Sequence, residues 1–170
     1  MKLALAAAAA AAFAVASPVL AADAPAINWY GNVGYSNVDT SGPNLNNITA
    51  RVGGKTTYFG GELEASTGLG DTTDAGVKYK VQDQIAAYAV GFYPVAPNAD
   101  IFARVGYGRT ELKGTSGGVS ATAGENSWNY GVGAQYFWGA NGVRGDYTYM
   151  DFQNNGGHAN AWGVSYVRKF

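Results

Sequence analysis

Several features are missing from this sequence, and each absence narrows what the chain can be. It contains no cysteine, which excludes a disulfide framework and any thiolate metal site. Its 11 basic and 12 acidic residues form no basic cluster, so nucleic acid is not an expected partner. After Ala24 there is no apolar run of about 20 residues, the length that a membrane-spanning helix requires. Any passage through a membrane must therefore use strands.

The first residues have the pattern of a secretory signal peptide. A lysine follows the initial methionine, an apolar stretch runs from residue 3 to residue 16, and small residues come soon after. The apolar stretch is too short for a transmembrane helix, whereas small residues behind it suit signal peptidase. We predict a signal peptide at residues 1–22, cleaved after Ala21 or Ala22. Residues 23–170 then form one domain of roughly 150 residues.

The rest of the chain alternates apolar and polar residues in about eight runs, separated by Gly, Asn, Asp and Pro. Alternation with period two predicts strands that have two chemically different faces. In the last run, residues 160–170, one side carries Trp162, Val164, Tyr166, Arg168 and Phe170. We predict an all-β fold, an eight-stranded antiparallel transmembrane β-barrel in which the last strand pairs with the first.

The fourth run, residues 77–93, fits two phases of alternation. One phase puts Ile85 on the apolar face together with Val77, Tyr79 and Val81. The other phase puts Tyr88, Val90 and Phe92 there instead. We adopt the first phase.

Short and long connections alternate along the chain. The gaps after the second, fourth and sixth runs are short, and the other four are rich in Gly, Asn, Ser and Thr. We predict long loops at residues 39–47, 68–76, 114–125 and 153–159. Outer-membrane barrels have this arrangement, with the short turns on the periplasmic side.

The two faces of the strands indicate which one meets lipid. The polar face carries small residues and charges of both signs, which can pair in a narrow lumen: Arg51, Glu62, Glu64, Arg104, Arg144 and Asp146. The apolar face carries Trp and Tyr near the strand ends, where a membrane interface favours them. The alternative is a soluble barrel with an aromatic interior. We favour the apolar face outward, and with eight strands the lumen is filled by side chains.

Five short segments together resemble the eight-stranded transmembrane domain of the OmpA type. They are WY at residues 29–30, YFGGE at 58–62, YPVAPNADIFARVG at 93–106, VRGDY at 143–147 and GVSY at 163–166. They follow the family's order over nearly the whole mature chain, and small opacity-type and porin-like barrels share the architecture. The resemblance implies an outer-membrane location. It leaves function open, because one fold serves many roles.

The resemblance also bears on particular residues. In the family, a Glu on the third strand and an Arg on the seventh belong to a lumen network, and these positions match Glu62 and Arg144. The family's Lys on the fourth strand and Glu on the sixth fall at Val90 and Gln135, so a gate of exchanging ion pairs is not implied. At the carboxy-terminus, an assembly signal for the outer-membrane machinery is expected at Trp162, Val164, Tyr166 and Phe170.

Candidate catalytic and metal sites are few. His158 is the only histidine, and Asp151 is the only acid that could orient it. The pair Asp71 and Asp74 could contact a divalent cation or lipopolysaccharide-bound ions, although its spacing fits no calcium loop. We expect no enzymatic activity, no cofactor and no metal.

Two functions remain open at this point. The barrel is a structural or surface-interaction protein whose loops contact lipopolysaccharide, host or neighbouring cells, or it is a low-conductance channel for ions or small solutes. The expected partners are outer-membrane lipid and lipopolysaccharide, the assembly machinery, and host or cell-surface ligands.

Overall fold

The computed structural model describes residues 26–40, 44–69, 72–74, 77–116, 119–153 and 157–170. The predicted signal peptide lies outside these residues. The strands are β1 (Asn28–Thr40), β2 (Asn44–Lys55), β3 (Phe59–Gly68), β4 (Thr72–Asp74), β5 (Val77–Ala96), β6 (Ala99–Ser116), β7 (Val119–Trp138), β8 (Asn141–Phe152) and β9 (His158–Lys169). Within the described part of the chain, no helix is both long and apolar enough to cross a membrane.

Eight of these strands form a closed antiparallel barrel. Neighbours along the chain pair with one another, β9 pairs with β1, and β3 pairs directly with β5. The short strand β4 only adds to β5. The register, followed once around the barrel, starts at Trp29 and returns to β1 at Asp39, ten residues further on. Such a stagger means that the strands tilt from the barrel axis, by roughly 35–45° in closed barrels.

The alternation in the sequence becomes an inner and an outer face. In β2, for example, Ile48 and Val52 lie outside and are about half exposed, while Thr49 and Arg51 are buried in the lumen. Because successive side chains of a strand point to opposite faces, the same division recurs around the barrel. Tyr58 is in phase with Glu62 and Glu64 in the sequence, which predicts the polar face, but it precedes β3 and is exposed.

The ambiguity of the fourth run has a structural cause, because the inner face of β5 is itself apolar: Tyr88, Val90 and Phe92 pack in an apolar cluster inside the lumen. The pairing of β5 with β6 shifts register earlier in the strand, between Val81 and Asp83. Beyond the shift, Ile85 is exposed while Tyr88 and Phe92 are buried, as in the adopted phase. The side chains of Val77, Tyr79 and Val81 lie outside the described ones.

The two ends of the barrel differ. Short turns at residues 56–58, 97–98 and 139–140 lie at the end that also holds Asn28 and Phe170, called the turn end here. At the opposite end, called the loop end, the long loops predicted at residues 39–47 and 114–125 are wrong in extent. β1 and β2 continue to Thr40 and Asn44, and β6 and β7 continue to Ser116 and Val119. Strand pairing thus occupies most of these segments, because small polar residues satisfy a paired strand as well as a loop.

Apolar side chains close the lumen in two places. Towards the turn end, a cluster is formed by Tyr30, Ala86, Tyr88, Val90, Phe92, Phe102, Phe137 and Val167. Towards the loop end, a smaller cluster is formed by Val38, Leu45, Met150 and Ala159. Between these two apolar layers lies the polar part of the lumen.

Candidate functional site in the barrel lumen

The polar part of the lumen contains all six charged residues that the sequence indicated. Arg51 comes from β2, Glu62 and Glu64 from β3, Arg104 from β6, and Arg144 and Asp146 from β8. All six are at most 7% exposed. Each occupies an inward position of its strand, so the alternation that builds the sheet also gathers these charges.

Arg144 and Glu62 form the most buried pair of the group. Arg144 donates from Nη1 to Glu62 Oε1, and from Nη2 to Glu62 Oε2 at 3.1 Å. Tyr30 donates its hydroxyl to Glu62 Oε1 at 2.6 Å. The guanidinium of Arg144 also lies over the Phe102 ring, 3.8 Å from its centroid. This pair spans the lumen from β8 to β3, two strands that are not neighbours in the sheet.

Arg51, on β2, bonds a carboxylate on the neighbouring strand β3 and another on β8, across the barrel. Its Nε donates to Glu64 Oε2 at 2.6 Å, and Glu64 is its direct cross-strand partner. Its Nη1 and Nη2 donate to the two carboxylate oxygens of Asp146 at 3.3 and 3.2 Å. Charge-assisted pairs with this forked geometry are the stronger kind of hydrogen bond.

Arg104 connects these two pairs. Its Nη1 lies 3.1 Å from Glu64 Oε2 and 3.5 Å from Glu62 Oε2, and its Nη2 lies 2.9 Å from Asp146 Oδ2. The same Nη2 donates to Thr148 Oγ1 at 2.6 Å. Three arginines thus meet three carboxylates, and the group has no net charge. A buried charge is tolerated only with partners of this kind, since its desolvation costs several kcal/mol, on the order of the paired gain.

Little space remains around this network. A cavity of about 20 Å³ lies between it and the loop-end cluster. That volume holds roughly one water molecule. The cavity is lined in part by Ser36, Thr49 and Ser66, whose hydroxyl groups form a chain with oxygen distances of 2.9 and 2.8 Å. On its loop-end side, the network therefore leaves room for about one water molecule.

A second charged group, at the turn end, was not identified from the sequence. Lys55 Nζ lies 2.6 Å from Asp100 Oδ2, to which Gln135 Nε2 also donates at 2.9 Å. Lys55 also lies over the Phe92 ring, at 4.4 Å from its centroid. Lys55 and Asp100 sit at strand ends next to turns, where a charge ordinarily indicates only solvent exposure. In the sequence, the only indication of their role is that the alternation puts both residues on the inward face of their strands.

The positions that depart from the OmpA-type pattern also lie inside. Val90 belongs to the turn-end apolar cluster, and Gln135 bonds Asp100. Neither residue takes part in the six-residue network.

Of the other candidate sites, only the pair of His158 and Asp151 lies wholly within the described residues. His158 and Asp151 are direct cross-strand partners, but His158 stacks on Tyr149 with ring centroids 5.6 Å apart. Asp71 and the side chain of Asp74 lie outside the described part. Among the described residues, no group of three or more His, Cys, Asp or Glu could hold a metal ion.

The outer surface carries the residues expected to act in assembly. Trp162, Val164, Tyr166 and Phe170 all point outward and are 63, 68, 44 and 81% exposed. Exposed aromatic residues lie near both ends of the strands. Towards the turn end they are Trp29, Phe59, Tyr93, Tyr136, Trp138 and Tyr166, and towards the loop end Tyr35, Tyr107, Trp128 and Trp162. Two aromatic belts that flank an aliphatic band are typical of transmembrane barrels.

Solved structures with the same architecture come from the outer membranes of several bacteria. Ail, the attachment invasion locus protein of Yersinia pestis, solved with the heparin analogue sucrose octasulfate, is 15% identical, with a TM-score of 0.64 over 85% of this chain and 99% of that one. Neisserial surface protein A is 9% identical, with a TM-score of 0.68 over 85% and 97%. The N-terminal barrel domain of Pseudomonas aeruginosa OprF is 11% identical, with a TM-score of 0.58 over 81% and 96%. At these identities the likeness concerns the fold.

The sequence itself carries the family assignment. No curated protein matches it significantly. The family model of the outer membrane protein beta-barrel domain matches residues 3–170. The lipid-facing outer surface, the closed eight-stranded barrel and the resemblance to OmpA-type barrels agree with this match. The chain therefore belongs to the outer membrane protein beta-barrel domain family and is a small eight-stranded barrel of the outer membrane.

Proposed function

We propose that this barrel is a surface-interaction protein anchored in the outer membrane, and that its extracellular part is the loop end. The observation that supports this function best is a ribbon of β5, β6 and β7 that extends beyond the rest of the barrel. β6 pairs with β7 as far as Ser116 and Val119, whereas the last pair of β7 with β8 is Ser127 with Phe152. Eight residues of β7 therefore extend past β8, about 27 Å along the strand.

The free edge of this ribbon suits contact with another molecule. Over residues 119–125 of β7, no described strand pairs on the side away from β6, whereas the Asn126 carbonyl accepts a hydrogen bond from the Gln153 N–H at 2.9 Å. Backbone N–H and C=O groups on such an edge can pair with an added strand. The segment contains neither Lys nor Pro, the residues that commonly protect edges. A surface partner that adds a strand, or that lies across the ribbon, fits this shape.

The structural neighbours support a partner outside the cell. Ail was solved with a heparin analogue, and another neighbour is named a surface protein. By this likeness, sulfated glycans of host cells and lipopolysaccharide of neighbouring cells are the ligand classes that we propose for the loop end.

A shortened ribbon tests this function. Since Leu112 pairs with Ala123, replacing residues 113–122 by Asn-Gly gives a two-residue hairpin that keeps the register below it. We expect the variant to fold but to lose attachment of expressing bacteria to mammalian cell monolayers and to immobilised heparin. The matched control replaces only residues 117–118 by Asn-Gly and keeps the ribbon at full length. Full attachment by the shortened protein would contradict the proposal.

The alternative function, a low-conductance channel, has weaker support. The polar cavity and the charged network favour passage of small ions, but apolar clusters lie on both sides of them. We therefore expect the protein, refolded into planar bilayers, to show no conductance steps at any voltage. Regular steps that change in Glu62→Gln or Arg144→Ala would support the channel instead.

Export is part of the same proposal. Cleavage of residues 1–22 would leave a barrel domain at residues 23–170. The mass of the intact protein purified from outer membranes tests it: loss of 21 or 22 residues is expected, and an uncleaved chain would contradict it.

A further inference from the structure

A groove of about 760 Å³ lies on the outer surface across β7, β8, β9 and β1. Its floor is at Gly145, which is directly opposite Ala134 on one side and Val164 on the other. Tyr147, two residues further along β8, is flanked by Val132 and Trp162. The groove thus has small residues at its floor and large side chains, such as Tyr147 and Trp162, at its walls. Its volume lies within the range of pockets that bind small ligands.

The groove stays open because its walls are held apart. A Cβ added at Gly145 would have only the carbonyl oxygen of Gly163 nearby, at 4.0 Å. Tyr147 is drawn away from the floor, since its hydroxyl donates to Asn160 Oδ1 at 2.6 Å. Its ring also packs on Trp162, with centroids 4.6 Å apart. Neighbouring side chains therefore cannot fill the space by rotating into it without losing these contacts.

The position of the groove indicates what fills it. It runs from Gly145, near the middle of β8, to Tyr35 and Asn37 at the level of the loop-end aromatic belt. This is the half of the barrel that faces the outer leaflet, given that the short turns are periplasmic. At the top, Tyr35 and Asn37 both donate to Asn46 Oδ1, so the rim is polar but uncharged.

We propose that this groove binds one acyl chain of outer-leaflet lipopolysaccharide. The apolar floor and walls accept the chain, and the phenol and amide groups of the rim face the ester and sugar groups to which it is attached. Because the shape is specific, the barrel holds this lipid more firmly than the lipid around its smoother sectors. The inference depends on the outer-membrane location and not on the role of the ribbon.

Filling the floor tests the groove directly. In Gly145→Leu the new side chain occupies the groove, and the surroundings of Gly145 leave room for it. The matched control is Gly91→Leu, which adds the same side chain at an outward position of β5 with no atom within 4 Å of a Cβ. Both variants are expected to fold, which a heat-dependent shift in gel migration verifies for each protein.

The probe is lipopolysaccharide that remains on the full-length protein after extraction from outer membranes in mild detergent, counted by native mass spectrometry. We expect about one molecule on the wild type and on Gly91→Leu, and about tenfold less on Gly145→Leu, a loss of about 1.4 kcal/mol. Equal retention by both variants would overturn the groove. Retention of phosphatidylethanolamine in place of lipopolysaccharide would overturn the assignment of the lipid.

Discussion

Arg144 and Glu62, which are 82 positions apart in the sequence, form a two-pronged ion pair across the lumen. Their strands do not border each other in the sheet, so this pair connects opposite walls of the barrel. Arg104 and Arg51 extend the connection to Glu64 and Asp146. Backbone hydrogen bonds join each strand to its neighbours in the barrel. The ion pairs of these side chains join strands on opposite sides of the lumen.

Removing one partner of this pair should destabilise the barrel strongly. Arg144→Ala leaves Glu62 buried without its main partner, and we expect a loss of about 3–5 kcal/mol in the free energy of unfolding. Urea titration of the protein in lipid vesicles measures it. The control Arg109→Ala removes an exposed pair with Glu111 and should cost no more than about 1 kcal/mol.

A double variant that replaces both members of the pair by apolar residues tests whether the destabilisation comes from the unpaired charge or from the lost side-chain volume. In Glu62→Leu with Arg144→Met, no charge of the pair stays buried, so part of the stability lost in Arg144→Ala should return. A double variant as unstable as the single one would count against this account.

At one inward position of β6, the packing of the lumen leaves room only for glycine. Gly106 is opposite Tyr88, and a Cβ there would collide with the Tyr88 ring and the Ala87 carbonyl. Gly106→Ala should therefore cost about 1–3 kcal/mol through overpacking. Gly91→Ala, outward and free of neighbours, should be neutral or slightly stabilising, by up to about 1 kcal/mol. Equal unfolding free energies for the two variants would refute the packing argument.

The sequence predicted the barrel and its six lumen charges for the same physical reason. A strand puts alternate residues on opposite faces, so Arg51 and Glu64 could be assigned inward without knowing their partners. The ion-pair partners themselves depend on the stagger around the barrel, which no local pattern contains. The register shift after Val81 gives no signal in the alternation, because Val81 and Ile85, on either side of it, follow the same phase in the sequence.

The apolar layers and the long ribbon were harder to predict. Leu45 and Phe92 face the lumen, but an apolar residue on an inner face looks the same in sequence as one that faces lipid. The small polar residues of 114–125 predicted a loop, whereas pairing between β6 and β7 makes nearly all of this segment a hairpin. Cross-strand pairing, and not local propensity, decides such segments.

Closure of the barrel should make the folded protein resist detergent. We expect unboiled protein to migrate differently from boiled protein on a detergent gel, because no free edge remains in the membrane-spanning sheet. Ser165→Pro removes a backbone donor in β9, which is paired on both sides, and should abolish the shift. Ile27→Pro, placed before β1, should leave it intact. A wild type without any shift would contradict a closed barrel.

The carboxy-terminal residue should matter more for assembly than for stability. Phe170 is 81% exposed and contributes one backbone hydrogen bond, from its N–H to the Trp29 carbonyl at 3.0 Å. Deleting it removes little buried surface, so the unfolding free energy in vesicles should fall by no more than about 1 kcal/mol. If Trp162, Val164, Tyr166 and Phe170 form the signal for the assembly machinery, the amount of protein inserted into outer membranes of living cells should fall far more.

Phe59→Ala is the matched control, since Phe59 is 74% exposed at the same end but lies outside the last strand. Normal insertion of the truncated protein would refute a role of Phe170 in the signal. An equal defect in Phe59→Ala would show that insertion requires exposed aromatic residues at this end in general, and not the terminal signal.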